Sequence, residues 1–157
     1  MHLFFRVGKV IFVILVILII INLILEKNYP TSQITLGVTF SPKYAKYLKL
    51  DWQKTYTAML NDLKVRNLRI QSYWDILEPK EGKYDFSETD YMLSEAGKKG
   101  AGVILVLGER QPRWPECHIP TWAKGLSIKD RQQKILEFIQ KVVERYKDQP
   151  VVRAWQV

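Results

Sequence analysis

The chain has 157 residues, with 24 Lys and Arg against 16 Asp and Glu, two His and one Cys, for a formal charge of +8 at pH 7. That length suits one ordinary domain with its own core and is short for two. The lone Cys117 excludes an internal disulfide and a cysteine-rich zinc centre, and the bases are scattered rather than blocked, which argues against nucleic acid as partner.

The first feature is the apolar run VIFVILVILIIINLIL, Val10 to Leu25, broken only by Asn22. Arg6 and Lys9 precede it; Glu26 and Lys27 follow. Apolar length with a positive N-terminal flank predicts a transmembrane helix with its N-terminus in the cytoplasm. The following EKNYPTSQ offers no small-x-small cleavage pattern, which favours an uncleaved anchor over a cleaved signal peptide and secretion. The expected organisation is a cytoplasmic flank and membrane anchor over 1–27, a linker over 28–33, and an extracytoplasmic domain over 34–157.

From Gln33 short apolar runs alternate with helical patterns. QITLGVTF (33–40) reads as a strand, and DWQKTYTAMLNDLK (51–64) as a helix capped by Asp51 with Trp52, Tyr56, Met59, Leu60 and Leu63 on one face. NLRIQSYW (67–74) is a second strand. The SETD at 87–90 has the spacing of a capping box and opens a helix that Gly100 ends. GVILVLG (102–108) is the third strand. Ser127 caps a long helix with Ile128, Ile135, Ile139, Val142 and Tyr146 on one side and Leu136 and Val143 beside them, and VVRAWQV (151–157) is a fourth strand.

The order β-α-β-α-β-α-β means a parallel sheet with helices packed outside it, either part of a (β/α)8 TIM barrel or an open doubly wound sheet. A dinucleotide-binding sheet needs a glycine-rich turn after its first strand, and SPKYAKYLKLD cannot serve as one. No cofactor is implied. The loops after the second and third strands, SYWDILEPKEGKYDF and ERQPRWPECHIPTW, are aromatic and acidic instead, and in a barrel they lie on the face where sites are built.

The run LRIQSYWDILEPKEGKYDFSETD, then GVILVLG, a PRWP loop and a strand ending AWQV, resembles the N-terminal half of a retaining glycoside hydrolase of the (β/α)8 superfamily that includes cellulases and family 42-like β-galactosidases. The resemblance implies that the general acid/base Glu follows an Asn just beyond Val157, that the nucleophile lies further downstream, and that these 157 residues lack both catalytic carboxylates and are inactive alone. Retaining hydrolysis needs two carboxyl groups about 5–5.5 Å apart. Glu78, Glu81 and Asp85 belong to a turn element and read as structural.

Strand alternation places Leu68 and Ile70 toward the helices and Arg69, Gln71 and Tyr73 toward the barrel interior. An interior arginine needs a partner. The resemblance implies that Arg69 pairs with the nucleophilic carboxylate; a structural ion pair is the plain alternative. Trp74, Trp114, Trp122 and Trp155 are candidate platforms for sugar C–H faces, each with core packing as its alternative, and Glu109 is an acid that can face a sugar. His118 stands without a second histidine at ligand spacing, so no metal site is expected. The expected partner is an oligo- or polysaccharide. The alternatives are a non-catalytic carbohydrate-binding or envelope scaffold module, and a membrane-tethered α/β interaction domain.

Overall fold

The computed structural model describes residues 8, 11–22, 35–113 and 115–157, and the chain divides into two units, 1–34 and 35–157. In the first, helix α1 is described over residues 11–22. Its large side chains from Ile11 to Ile21 are all exposed. Twelve residues rise about 18 Å, against roughly 30 Å of bilayer hydrocarbon. Among the described residues no helix is long and apolar enough to cross a membrane. The ends of the expected 10–25 span and the expected linker 28–33 lie outside the described residues.

The second unit is a four-stranded parallel sheet: β1 (Val38–Phe40), β2 (Asn67–Gln71), β3 (Gly102–Val106) and β4 (Val152–Gln156), in the spatial order β1-β2-β3-β4. Between them run α2 (Pro42–Tyr47), α3 (Trp52–Asn61), α4 (Trp74–Leu77), α5 (Ser87–Lys98), a 3₁₀ turn at Thr121–Ala123, and α6 (Ile128–Tyr146). The strand order decides between the two expected architectures. A doubly wound sheet reverses direction at a switch point, whereas sequential neighbours with same-handed crossovers put every helix on one face and curl the sheet as a barrel wall.

Register fixes the faces. Phe40, Ile70, Leu105 and Trp155 form one cross-strand row, and Leu68, Val103 and Val152 lie in another on the same face. This face carries the core: Leu68, Ile70, Val103 and Leu105 are buried beneath Tyr56 and Leu60 of α3, Met92, Leu93 and Ala96 of α5, and Phe138 and Val142 of α6. The opposite face holds the rows Thr39, Arg69, Ile104, Ala154 and Gln71, Val106, Gln156. Ile104 is exposed at 41% there, so the inner face is open midway along the sheet. A bulge between Val103 and Ile104 of β3 and their partners in β4 leaves Arg153 without a partner and brings Ala154 opposite Ile104.

Helix starts follow cap chemistry. Ser41 accepts from Tyr44 N ahead of Pro42 at the first position of α2, Asp51 accepts from Lys54 N at α3, and Ser127 accepts from Asp130 N at α6. Four expectations need correction. SPKYAKYLKLD contains the helix α2 rather than a plain turn, because Ser-Pro supplies both a cap and a first helical residue. The second strand ends at Gln71, not Trp74, where Tyr73 turns the chain into α4. The capping box at Ser87 does not form: Phe86 holds the cap position and the preceding Asp85 accepts from Ser87 N at 3.0 Å. Leu63, Ile128 and Leu136 are exposed at 75%, 70% and 60%, since Leu63 lies beyond the end of α3 and the buried stripe of α6 centres on Phe138, Val142 and Tyr146.

Candidate active site

The carboxyl ends of β1, β2 and β3 meet around a pocket of about 420 Å3 lined by Ser41, Lys43, Tyr44, Tyr47, Tyr73, Arg113, Pro115 and His118. Each part is placed by its element. Ser41 directly follows β1, and its hydroxyl shares a 2.7 Å hydrogen bond with Tyr73 OH beyond β2. Tyr73 is nearly fully buried, and burial raises its pKa. Its ring meets the His118 imidazole edge-on at 4.4 Å between centroids.

His118 returns the loop that follows β3. Its N–H donates to Glu109 O at 2.8 Å, and Gln111 N donates to Glu116 O, so the excursion folds back on itself. Its carbonyl accepts from Asp75 N at 3.2 Å, which joins this loop to the one after β2. Lys43, on the exposed side of α2, ties the polar centre: Nζ donates to Asp75 Oδ2 at 2.5 Å and to His118 Nδ1 at 3.0 Å. That bond places the imidazole proton on Nε2. Burial first, and then the Lys43 charge, hold His118 below the ordinary imidazole range, with Asp75 opposing more weakly.

Three buried acceptors near the strand ends lie outside that lining and have no hydrogen-bond partner among the described residues: Asp75 Oδ1, Gln71 Oε1 and Gln111 Oε1. The two amides use their donors on backbone, Gln71 Nε2 on Pro112 O at 3.2 Å and Gln111 Nε2 on Gly108 O at 2.8 Å. Buried acceptors left open in this way suit ordered water. The walls are aromatic: Tyr44 and Tyr47 stack at 5.8 Å, and the Arg113 guanidinium lies 3.1 Å over the Tyr44 ring. Arg113 holds φ at +98°, a conformation that costs a side-chain-bearing residue on the order of 1–3 kcal/mol.

Most of the residues singled out from sequence lie elsewhere. Trp74 is fully buried, edge-on to Trp122 at 5.6 Å and beside Phe138, with Nε1 donating to Glu78 Oε2 at 2.7 Å; it offers no face to a ligand. Trp122 is half-buried and donates to Glu78 O at 2.9 Å. Both indoles thus brace the Glu78 turn, whose carboxylate also accepts from Gly82 N. Glu81 pairs with Lys134 at 2.9 Å. Glu109 pairs with Arg131 of α6 at 3.4 Å.

Arg69 lies on the inner face as alternation predicts, yet its Nε donates only to Thr39 Oγ1 at 2.9 Å, in a separate groove shared with Asn67, Ile104 and Arg153. Trp155 falls in the row of Ile70 and Leu105, the helix side of the sheet, because of the β4 bulge. The structure therefore does not gather Arg69, Trp74 and Trp155 into one mouth. Trp114 lies outside the described residues. Among the described residues no group of His, Cys, Asp and Glu could hold a metal ion.

Sequence reasoning missed Ser41, Lys43, Tyr44, Tyr47, Tyr73 and Asp75 as one set. The available signal was three tyrosines and a Ser-Pro cap just past strand ends, in segments already recognised as aromatic.

Parallel strands in sequential order, helices on one side and a polar aromatic pocket at their carboxyl ends define part of a (β/α)8 barrel with its site on the usual face. The chain belongs to glycosyl hydrolase family 10, whose sequence profile matches residues 25–157. Among solved structures it is similar to the GH5_18 protein of Streptomyces cattleya in complex with GlcNAc, at 16% identity and TM-score 0.60, covering 77% of this chain and 32% of that one. A GH5_18 structure from Bifidobacterium longum subsp. infantis gives 17% identity and TM-score 0.57, covering 76% and 31%. The β-galactosidase of the haloarchaeon Halorubrum lacusprofundi gives 19% and 0.54, covering 78% and 20%. At such identities the likeness is one of fold. The chain spans about a third or less of the length of these structures. The glycoside hydrolase resemblance thus stands, with family 10 as its place in the superfamily.

Proposed function

We propose that this chain takes part in hydrolysis of β-linked O-glycosidic bonds with retention, and that its contribution is the sugar-holding wall at strands β1 to β3. The observation that carries the reading is the tyrosine-walled pocket at the carboxyl ends of parallel strands in a family 10 chain. Aromatic faces take sugar C–H surfaces, while the polar groups of the lining, Ser41, Lys43 and Arg113, suit hydroxyls. A GH5_18 variant from Streptomyces cattleya has been solved with Manb1-4GlcNAc, a β-linked disaccharide, which supports the same linkage class here.

The chemistry needs two carboxyl groups about 5–5.5 Å apart, one protonating the leaving oxygen and one attacking the anomeric carbon. Asp75 is paired with Lys43 at 2.5 Å, and no carboxyl group stands in the pocket lining, so the pair that retention requires is not assembled there. The acid/base and nucleophile are then assigned to strands other than the four described, and the 157 residues alone bind without turning over. Isothermal titration of the 157-residue chain with β-1,4-linked oligosaccharides tests this. Saturable binding that weakens about tenfold or more in Tyr44→Ala is expected; no heat at millimolar sugar would overturn it in favour of an interaction domain. A non-catalytic sugar-binding module is the second reading, favoured by the engagement of Asp75 with Lys43.

We also propose that the N-terminal segment holds the domain at a membrane, outside the cytoplasm. The apolar run 10–25 behind Arg6 and Lys9 supports this, as does the exposure of every large side chain of α1 from Ile11 to Ile21. Extraction at alkaline pH tests it: the chain should stay with the membrane pellet, and release into the supernatant would refute anchoring.

A further inference from the structure

We propose that the Tyr44–Tyr73–His118 pocket accepts a sugar bearing a carboxylate, a uronic acid residue, with Arg113 reading its charge; this rests on the reading of the pocket as a sugar subsite. The charges around it do not cancel. Lys43 is answered by Asp75 at 2.5 Å. His118 adds no charge of its own near pH 7, since burial and Lys43 favour its neutral form. Arg113 enters none of the ion pairs formed among the described residues, in contrast to Arg131 on Glu109 and Arg145 on Asp90. Among the described residues, one positive charge at the pocket is left without an acid.

Its geometry keeps it available. Stacking over Tyr44 at 3.1 Å covers a face of the guanidinium and consumes none of its donors, and among the described residues no acceptor takes them, which leaves the N–H edge to a bidentate carboxylate. The stack also limits the side-chain freedom that binding would otherwise remove. A neutral sugar needs only the tyrosine faces and the hydroxyls of Ser41 and the tyrosines. An arginine at φ +98°, where glycine would sit without strain, adds a function those groups lack. A single unanswered charge and a planar fork match a monoanionic carboxylate better than a dianionic phosphate.

The test is NMR titration of the full 157-residue chain with methyl β-glucuronide, its neutral methyl ester and methyl β-glucoside. The glucuronide should bind about tenfold more tightly than the other two at low salt, with the advantage shrinking as salt rises. Arg113→Gln should lower it to the level of the glucoside, and Arg113→Lys should restore part of the preference. Equal affinities of glucuronide and glucoside in the native chain would overturn the assignment and leave the sugar pocket standing. Displacement of the glucuronide by equimolar acetate would overturn it as an anion site without sugar recognition. Binding by none of the three would remove the sugar pocket as well.

Discussion

Lys43 and His118, 75 positions apart in sequence, are joined by a 3.0 Å hydrogen bond that closes the loop after β1 onto the loop after β3. The bond requires a neutral imidazole, because a protonated ring would face an ammonium donor with a second donor.

The first prediction concerns pH. Burial and the Lys43 charge hold His118 below the ordinary imidazole pKa of about 6.5, so the unfolded chain binds the proton first as pH falls. The His118 contribution is fully present above about pH 6.5 and is lost as pH drops through the folded value. Thermal melts should show an acid limb beginning near pH 6.5 that flattens in His118→Gln. Lys43→Met should raise the His118 pKa, read from the imidazole resonances, because it removes a charge that depresses it.

Trp74 anchors the turn that leads away from β2. Trp74→Phe keeps the ring and deletes the donor to Glu78 Oε2, leaving a buried carboxylate oxygen short of a partner. The expected loss is about 1–3 kcal/mol in urea denaturation. Sugar affinity should be unchanged, which separates a core tryptophan from a binding platform.

Arg69 makes one hydrogen bond, to Thr39, with no carboxylate among its described partners. Arg69→Met should therefore alter the stability of the 157-residue chain by less than about 1 kcal/mol. A loss of several kcal/mol would indicate an ion pair on the inner face.

Asp90 clamps α5 to α6. It accepts from Arg145 Nε and Nη2 at 3.0 and 2.5 Å and from Tyr146 OH at 2.7 Å. The arginine pair is well exposed and weakened by solvent, while the tyrosine is buried and its hydroxyl would be left alone. Asp90→Ala should cost about 1–2 kcal/mol, and high salt should reduce that cost only slightly.

The layout of the barrel wall was legible because each apolar run carries its own period. GVILVLG is rich in β-branched residues and bounded by glycines, which reads as a strand, and Asp51 and Ser127 announce their helices by cap chemistry. Arg69 on the inner face followed from alternation within β2.

The pocket was less legible because its members come from three loops whose approach is tertiary. Nothing local to SPKYAKY says that Lys43 will reach Asp75 and His118. Trp74 misled for a physical reason: a large ring at a strand end serves a core as well as a cleft, and only the helix turn at Tyr73 decides which. Trp155 misled because a bulge in β4 leaves no mark on strand periodicity.

That bulge works as a phase shift in the pleat. Were Arg153 instead to pair with Ile104, so that Ala154 met Leu105 and Trp155 met Val106, Trp155 would rotate from the layer beneath the helices into the concave side, and Gln156 would trade places with it. One backbone unit thus sets the handedness of address for whatever β4 displays toward its carboxyl end.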